Sequence, residues 1–152
     1  MLIVCTSKWS ATDEELVQEF VCRSGAAPSD VLSLVGPQAI GLLAELWRRG
    51  FEGVRLSTAS CSAGAEPADI LWLPHARAEA LGAGRLGRHA RALRDGGTIL
   101  LQGDAPATRG QVATLRAMLA ALGFGPIEQV VRSQGLCLSA WKPLRAPARL
   151  AA

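Results

Sequence analysis

Long apolar runs are missing from this 152-residue chain: no stretch approaches the roughly 18 residues that a membrane-spanning helix needs. The opening segment, residues 1–5, lacks both the basic flank and the length of a secretory leader, so the expected location is cytoplasmic. Paired cysteines are missing too. Cys5, Cys22, Cys61 and Cys137 form no CxxC and no Cys/His cluster, which removes the spacing of a zinc site and of a dithiol redox motif. They are expected as reduced, mostly buried thiols, and no metal is expected. There is no GxSxG elbow and no GxxxxGK[ST] phosphate loop, and Ser60, Cys61 and Ser62 have no base placed beside them by sequence. Strong net charge is also lacking: 16 Lys and Arg against 13 Asp and Glu leave +3, too mild a total to argue for nucleic acid. What is present is 49% apolar residues in short blocks, enough to bury the core of one domain of this length.

Those blocks alternate between two periods. Residues 2–5 have strand character, with Leu, Ile and Val in sequence. Thr12 followed by Glu15, with Asp13 and Glu14 between them, is a capping box that opens a helix to about Arg23 with Leu16, Val17 and Phe20 on one face. This helix is expected over the edge of the domain. Residues 31–35 form a short strand, Gly36 and Pro37 a turn, and residues 38–49 a helix apolar through Ile40, Leu42, Leu43, Leu46 and Trp47. A second strand spans 53–57. Small residues fill 58–68 in the place of a helix and another strand, and 69–73 is a strand apolar on both faces, as central parallel strands are. A helix follows at 85–94, ended by Asp95, Gly96 and Gly97; then come a strand at 98–102, a helix at 110–122, and strands at 127–132 and 136–141 around Ser133, Gln134 and Gly135. Closing on a hairpin makes the sheet mostly parallel with one antiparallel end. The division expected is an N-terminal segment with a capping helix at 1–29, an α/β body at 30–143 forming one domain with it, and a frayed tail at 144–152.

Three stretches in this order carry a resemblance: Val31 through Pro37, Asp69 through His75, and Leu93 through Leu100 with Asp95, Gly96 and Gly97 at its centre. Together with the closing hairpin they resemble the class I S-adenosylmethionine-dependent methyltransferases over residues 30–143, as a degenerate and truncated member. The resemblance implies a three-layer Rossmann-like fold and places S-adenosylmethionine over Gly36, Pro37 and Gln38, with Ser57 and Thr58 facing its ribose and His75 near the methyl-transfer point. The chain departs from the family at the same place. Only Gly36 remains of a glycine-rich loop, Ser33 stands where an acid is usual, and Ser57 and Thr58 replace the ribose-binding carboxylate.

Two functions follow from different classes. One is a methyltransferase-like protein with a degenerate cofactor site, for which alignment of donor and acceptor matters more than an acid/base motif. The other is a non-catalytic scaffold for protein association or regulation, as a homodimer or beside an active enzyme. His75, just past a central strand, is the candidate catalytic residue, as general base or substrate-orienting group. His89 is expected at the solvated surface among Arg85, Arg88, Arg91 and Arg94. Glu66 and Asp69 are read as structural.

Overall fold

The computed structural model describes residues 12–36, 39–57, 66–77, 81–103, 108–132 and 135–144. The elements run α1 (Asp13–Ser24), β1 (Leu32–Val35), α2 (Ala39–Arg48), β2 (Val54–Ser57), β3 (Ala68–Leu73), α3 (Ala83–Arg91), β4 (Leu93–Gln102), α4 (Arg109–Ala121), β5 (Ile127–Arg132) and β6 (Gly135–Trp141). The expected strand at 2–5 and the tail from 145 lie outside the described residues. No described helix is long and apolar enough to cross a membrane.

One six-stranded sheet has the order β2-β1-β3-β4-β6-β5. β1 pairs in parallel with β2 and with β3, and β3 with β4, while β6 runs antiparallel to both β4 and β5. This is the mostly parallel Rossmann-like sheet with a terminal hairpin that the alternating periods indicate. Among the described residues no strand or helix stands between β2 and β3.

Strand alternation divides the core into two layers. Leu32, Leu34, Ile70, Trp72 and Leu100 face α1 and α2, whereas Leu71, Leu73, Ile99 and Leu101 face α3 and α4. β3 is therefore buried on both faces, as its unbroken apolar run demands. α1 begins with the capping box complete, Thr12 accepting from the Glu15 amide and Glu15 accepting from the Thr12 amide. It does not lie at the domain's edge. Leu16, Val17 and Phe20 are buried in the same cluster as β1 and β3, and the Phe20 ring stacks on Trp72 at 4.2 Å between centroids and 14° between planes. The bulk of that indole at mid-sheet draws the helix inward.

α2 also differs from expectation. Leu42 and Leu46 are fully buried, but Ile40 is 75% and Trp47 57% exposed, so the helix packs through a narrower stripe than its composition suggests. Of the described cysteines, Cys137 is buried and Cys22 exposed.

The Asp95-Gly96-Gly97 segment belongs to β4 rather than ending the preceding helix, which stops at Arg91. Ala68 pairs with Leu93 but Ile70 with Thr98, so the extra residues form a bulge. Glycine is required there: a Cβ on Gly97 would come within 2.7 Å of Leu93 Cδ1 and 2.9 Å of the Arg94 carbonyl. At the lower end of the same strands, Asp69 accepts from the Val31 amide at 2.8 Å and pairs with Arg94 Nε at 2.5 Å. This buckle is the structural role read for Asp69.

Phe20 carries the docking of α1. Phe20→Ala is expected to lower unfolding free energy by about 3 to 5 kcal/mol, a transfer loss plus a cavity against Trp72. Urea denaturation followed by tryptophan fluorescence measures it; a loss below about 1 kcal/mol would show that α1 is not integral to the core.

Candidate functional site

In a doubly wound sheet, ligands settle beyond the carboxyl ends of the strands where successive connections leave in opposite directions. Here that point lies between β1 and β3. The chain leaves β1 through α2 on one face, and leaves β3 through α3 on the other. Two turns meet at this crevice. Gly36 follows β1 with φ 138°, a conformation that side-chain-bearing residues rarely adopt, and a Cβ there would lie 3.8 Å from the Pro74 carbonyl. His75 follows β3 with φ 56°, in the left-handed region. The His75 turn is held from below, since the Ala76 amide donates to the Gln102 carbonyl at 2.6 Å.

Register places the remaining candidates along this edge. Val35 is level with Ser57, so Ser57 closes β2 beside the Gly36 turn. Pro37, Gln38 and Thr58 lie outside the described residues. The structure thus brings Gly36 and the residues around His75 together, with Ser57 one strand farther out. Ser33, standing where the resemblance leads one to look for an acid, is buried below the crevice on the α3 side of β1.

Ser57 is engaged in a way its sequence position does not announce. Its Oγ lies 3.1 Å from Nδ1 of His89, which is buried with 3% exposure. The expected surface position of His89 is therefore wrong. Its neighbours in sequence are arginines, but it stands three residues from Leu86 and on that residue's side of the helix, the signal that composition masked. Burial lowers the His89 pKa below its ordinary value, and the nearby Arg85 and Arg88 charges lower it further. The imidazole is neutral at pH 7. α3 reaches over β1 to the end of β2, and its histidine supplies the polar contact there.

Gln102 is the other residue that periodicity could not single out. It is fully buried at the end of β4, where its Oε1 accepts from Trp72 Nε1 at 2.5 Å while its carbonyl holds the His75 turn. It links the core directly to the crevice.

His89 makes stability depend on pH in a defined sense. Because the folded state lowers its pKa, the unfolded chain binds the proton first, and stability is lost as pH falls from about 6.5 through the folded value. Unfolding midpoints measured from pH 8 to pH 5, at roughly half-unit steps, should fall more steeply for the native chain than for His89→Gln. Parallel curves would show that His89 contributes nothing to the acid response.

No protein-family model matches the chain, and no curated protein matches its sequence. Solved structures do match it. A candidate S-adenosyl-L-methionine-dependent methyltransferase from Methanococcus maripaludis superposes with a TM-score of 0.66 at 10% identity, covering 86% of this chain and 85% of the other. The precorrin-6y C5,15-methyltransferase of Geobacter metallireducens gives 0.59 at 13% identity over 90% and 93%. The glycopeptide N-methyltransferase MtfA, complexed with sinefungin, gives 0.62 at 14% identity over 89% and 88%. At these identities the likeness is one of fold: the chain has the Rossmann-like α/β architecture that S-adenosylmethionine-dependent methyltransferases share.

Proposed function

We propose that this chain is a methyltransferase-like domain that binds S-adenosylmethionine, or its demethylated product, in the crevice between the β1 and β3 turns. One observation carries the reading: Gly36 holds a backbone conformation suited to glycine at the switch point of the sheet, facing the turn that bears His75. Main chain near Gly36 would meet the amino-acid end of the ligand, and the Ser57 hydroxyl its ribose. Pro37, Gln38 and Thr58 keep the roles that the resemblance gave them. The cofactor, when bound, supplies an activated methyl group. His75 would orient the acceptor or take its proton. The site is degenerate in a specific respect: among the described residues at the end of β2 there is a hydroxyl but no carboxylate. A neutral hydrogen bond is roughly half as strong as a charge-assisted one, so affinity about tenfold below that of a carboxylate-bearing site is expected.

Calorimetric titration with S-adenosylhomocysteine tests this. Saturable heat is expected, weakened about fivefold to tenfold by Ser57→Ala. Gly36→Val should abolish it while thermal melting shows the variant still folded. Absence of heat from the native chain at millimolar ligand would overturn the proposal.

A second reading, association through the fold rather than methyl transfer, is favoured by the exposed stripe of Ile40 and Trp47 on α2, with half-buried Leu43 between them and Leu56 of β2 46% exposed nearby in the same layer. Light scattering distinguishes it. A concentration-dependent rise in mass that Trp47→Ser removes supports association, and a strict monomer at all concentrations rules out self-association.

A further inference from the structure

The small net charge of the chain conceals an uneven distribution. Residues 81–152 contain ten Lys and Arg against three Asp and Glu. The fold turns this imbalance along the sequence into one between faces. α3 and α4 lie on the same side of the sheet and share one buried cluster, and a Cβ on Gly87 of α3 would lie 3.4 Å from Leu122 Cδ2 at the end of α4. Between them these helices carry five arginines and no carboxylate. Arg85, Arg88, Arg91 and Arg109 are exposed, and Arg116 is half-buried, its Nη1 3.5 Å from Gln129 Oε1 on β5. The opposite helices, α1 and α2, carry five carboxylates and two arginines.

We infer that the α3–α4 face docks the phosphodiester backbone of double-helical nucleic acid. The chemistry is that of guanidinium groups, which stay charged and match phosphate oxygens in paired hydrogen bonds. Arg85, Arg88 and Arg91 recur every three residues, so they climb α3 in steps of about 4.5 Å and form a stripe rather than a single anion pocket. An extended polyanion meets such a stripe better than a small ligand does. A duplex is favoured over a single strand because single-strand sites need aromatic stacking platforms, and neither α3 nor α4 has one. The exposed Trp47 lies on α2 in the other layer, and the exposed Trp141 follows Ala140, whose side chain faces the α3–α4 core, so strand alternation turns the indole to the opposite face. Contacts to backbone phosphate alone imply binding without sequence preference. This inference does not depend on occupancy of the Gly36 crevice.

The test is fluorescence anisotropy of the full chain with short mixed-sequence DNA and RNA duplexes over a salt series. Three phosphate contacts give a log–log slope of about −2.7, a loss of roughly 40-fold in affinity between 50 and 200 mM salt. Arg88→Gln with Arg91→Gln should reduce that slope by about 2. Arg23→Gln with Arg48→Gln removes the same net charge from the opposite layer and should leave the slope unchanged. All four positions are exposed, and melting curves of both variants are to be recorded as the check that each is folded. No binding to either duplex at 50 mM salt overturns the inference, as does equal weakening by both pairs, which would mean attraction to total charge rather than to this face. Tighter binding of DNA or of RNA identifies the duplex for which the face is suited.

Discussion

Trp72 is the residue on which the rest of the molecule leans. It lies near the carboxyl end of the central strand with 1% exposure, its ring under Phe20 and its indole N–H on Gln102. Those contacts join parts that are otherwise distant. The stack fixes α1 against mid-sheet, and the hydrogen bond fixes the end of β4, whose carbonyl in turn holds the turn at His75. A large aromatic on the central strand thus sets both the thickness of one helical layer and the shape of one wall of the crevice. Leu71 and Leu73, pointing the other way from the same strand, do the equivalent for α3 and α4.

Periodicity made most of the fold legible. Both strand-type runs and helix-type stripes appear in the structure within a few residues of their expected bounds, and the capping box at Thr12 forms as its spacing implies. What was not legible depended on contacts between remote segments. Nothing local in residues 13–24 says that Phe20 will meet Trp72, so the helix looked peripheral. Nothing local in residues 85–94 says that the strand above His89 ends in a hydroxyl, so a histidine among arginines looked solvated. Asp95, Gly96 and Gly97 carry a turn composition, and composition alone cannot tell a helix stop from a bulge inside the following strand. The turns at Gly36 and His75 were reachable because strand ends are visible in sequence. The engagement of Ser57 by His89 was not, because it arises from which helix covers β2.

The end of β2 is tied to a helix from a later part of the chain. On the α3 side of the sheet, β1 and β2 present Ser33 and Ser57. Polar groups that are buried must find partners, and His89 is the partner that α3 can offer. The same helix presents its arginines outward, so α3 meets Ser57 with one face and solvent with the other.

The stacking of α1 on β3 also bears on how the chain is made. The apolar face of α1 leaves the ribosome about fifty residues before Trp72 does, a delay of about 3 to 10 s at ordinary rates of synthesis. Leu32, Leu34, Leu42 and Leu46 of β1 and α2 follow sooner, whereas Leu100 from β4 and Cys137 from the closing strand come later still. Until β1 and α2 have emerged the helix has nothing to dock on, and a helix of 12 residues is marginal by itself in water. Leu16, Val17 and Phe20 then form an uncovered apolar patch on the nascent chain. The four acids of α1 keep that patch solvated, so the opening segment waits as a charged, unsettled coil until the sheet arrives to receive it.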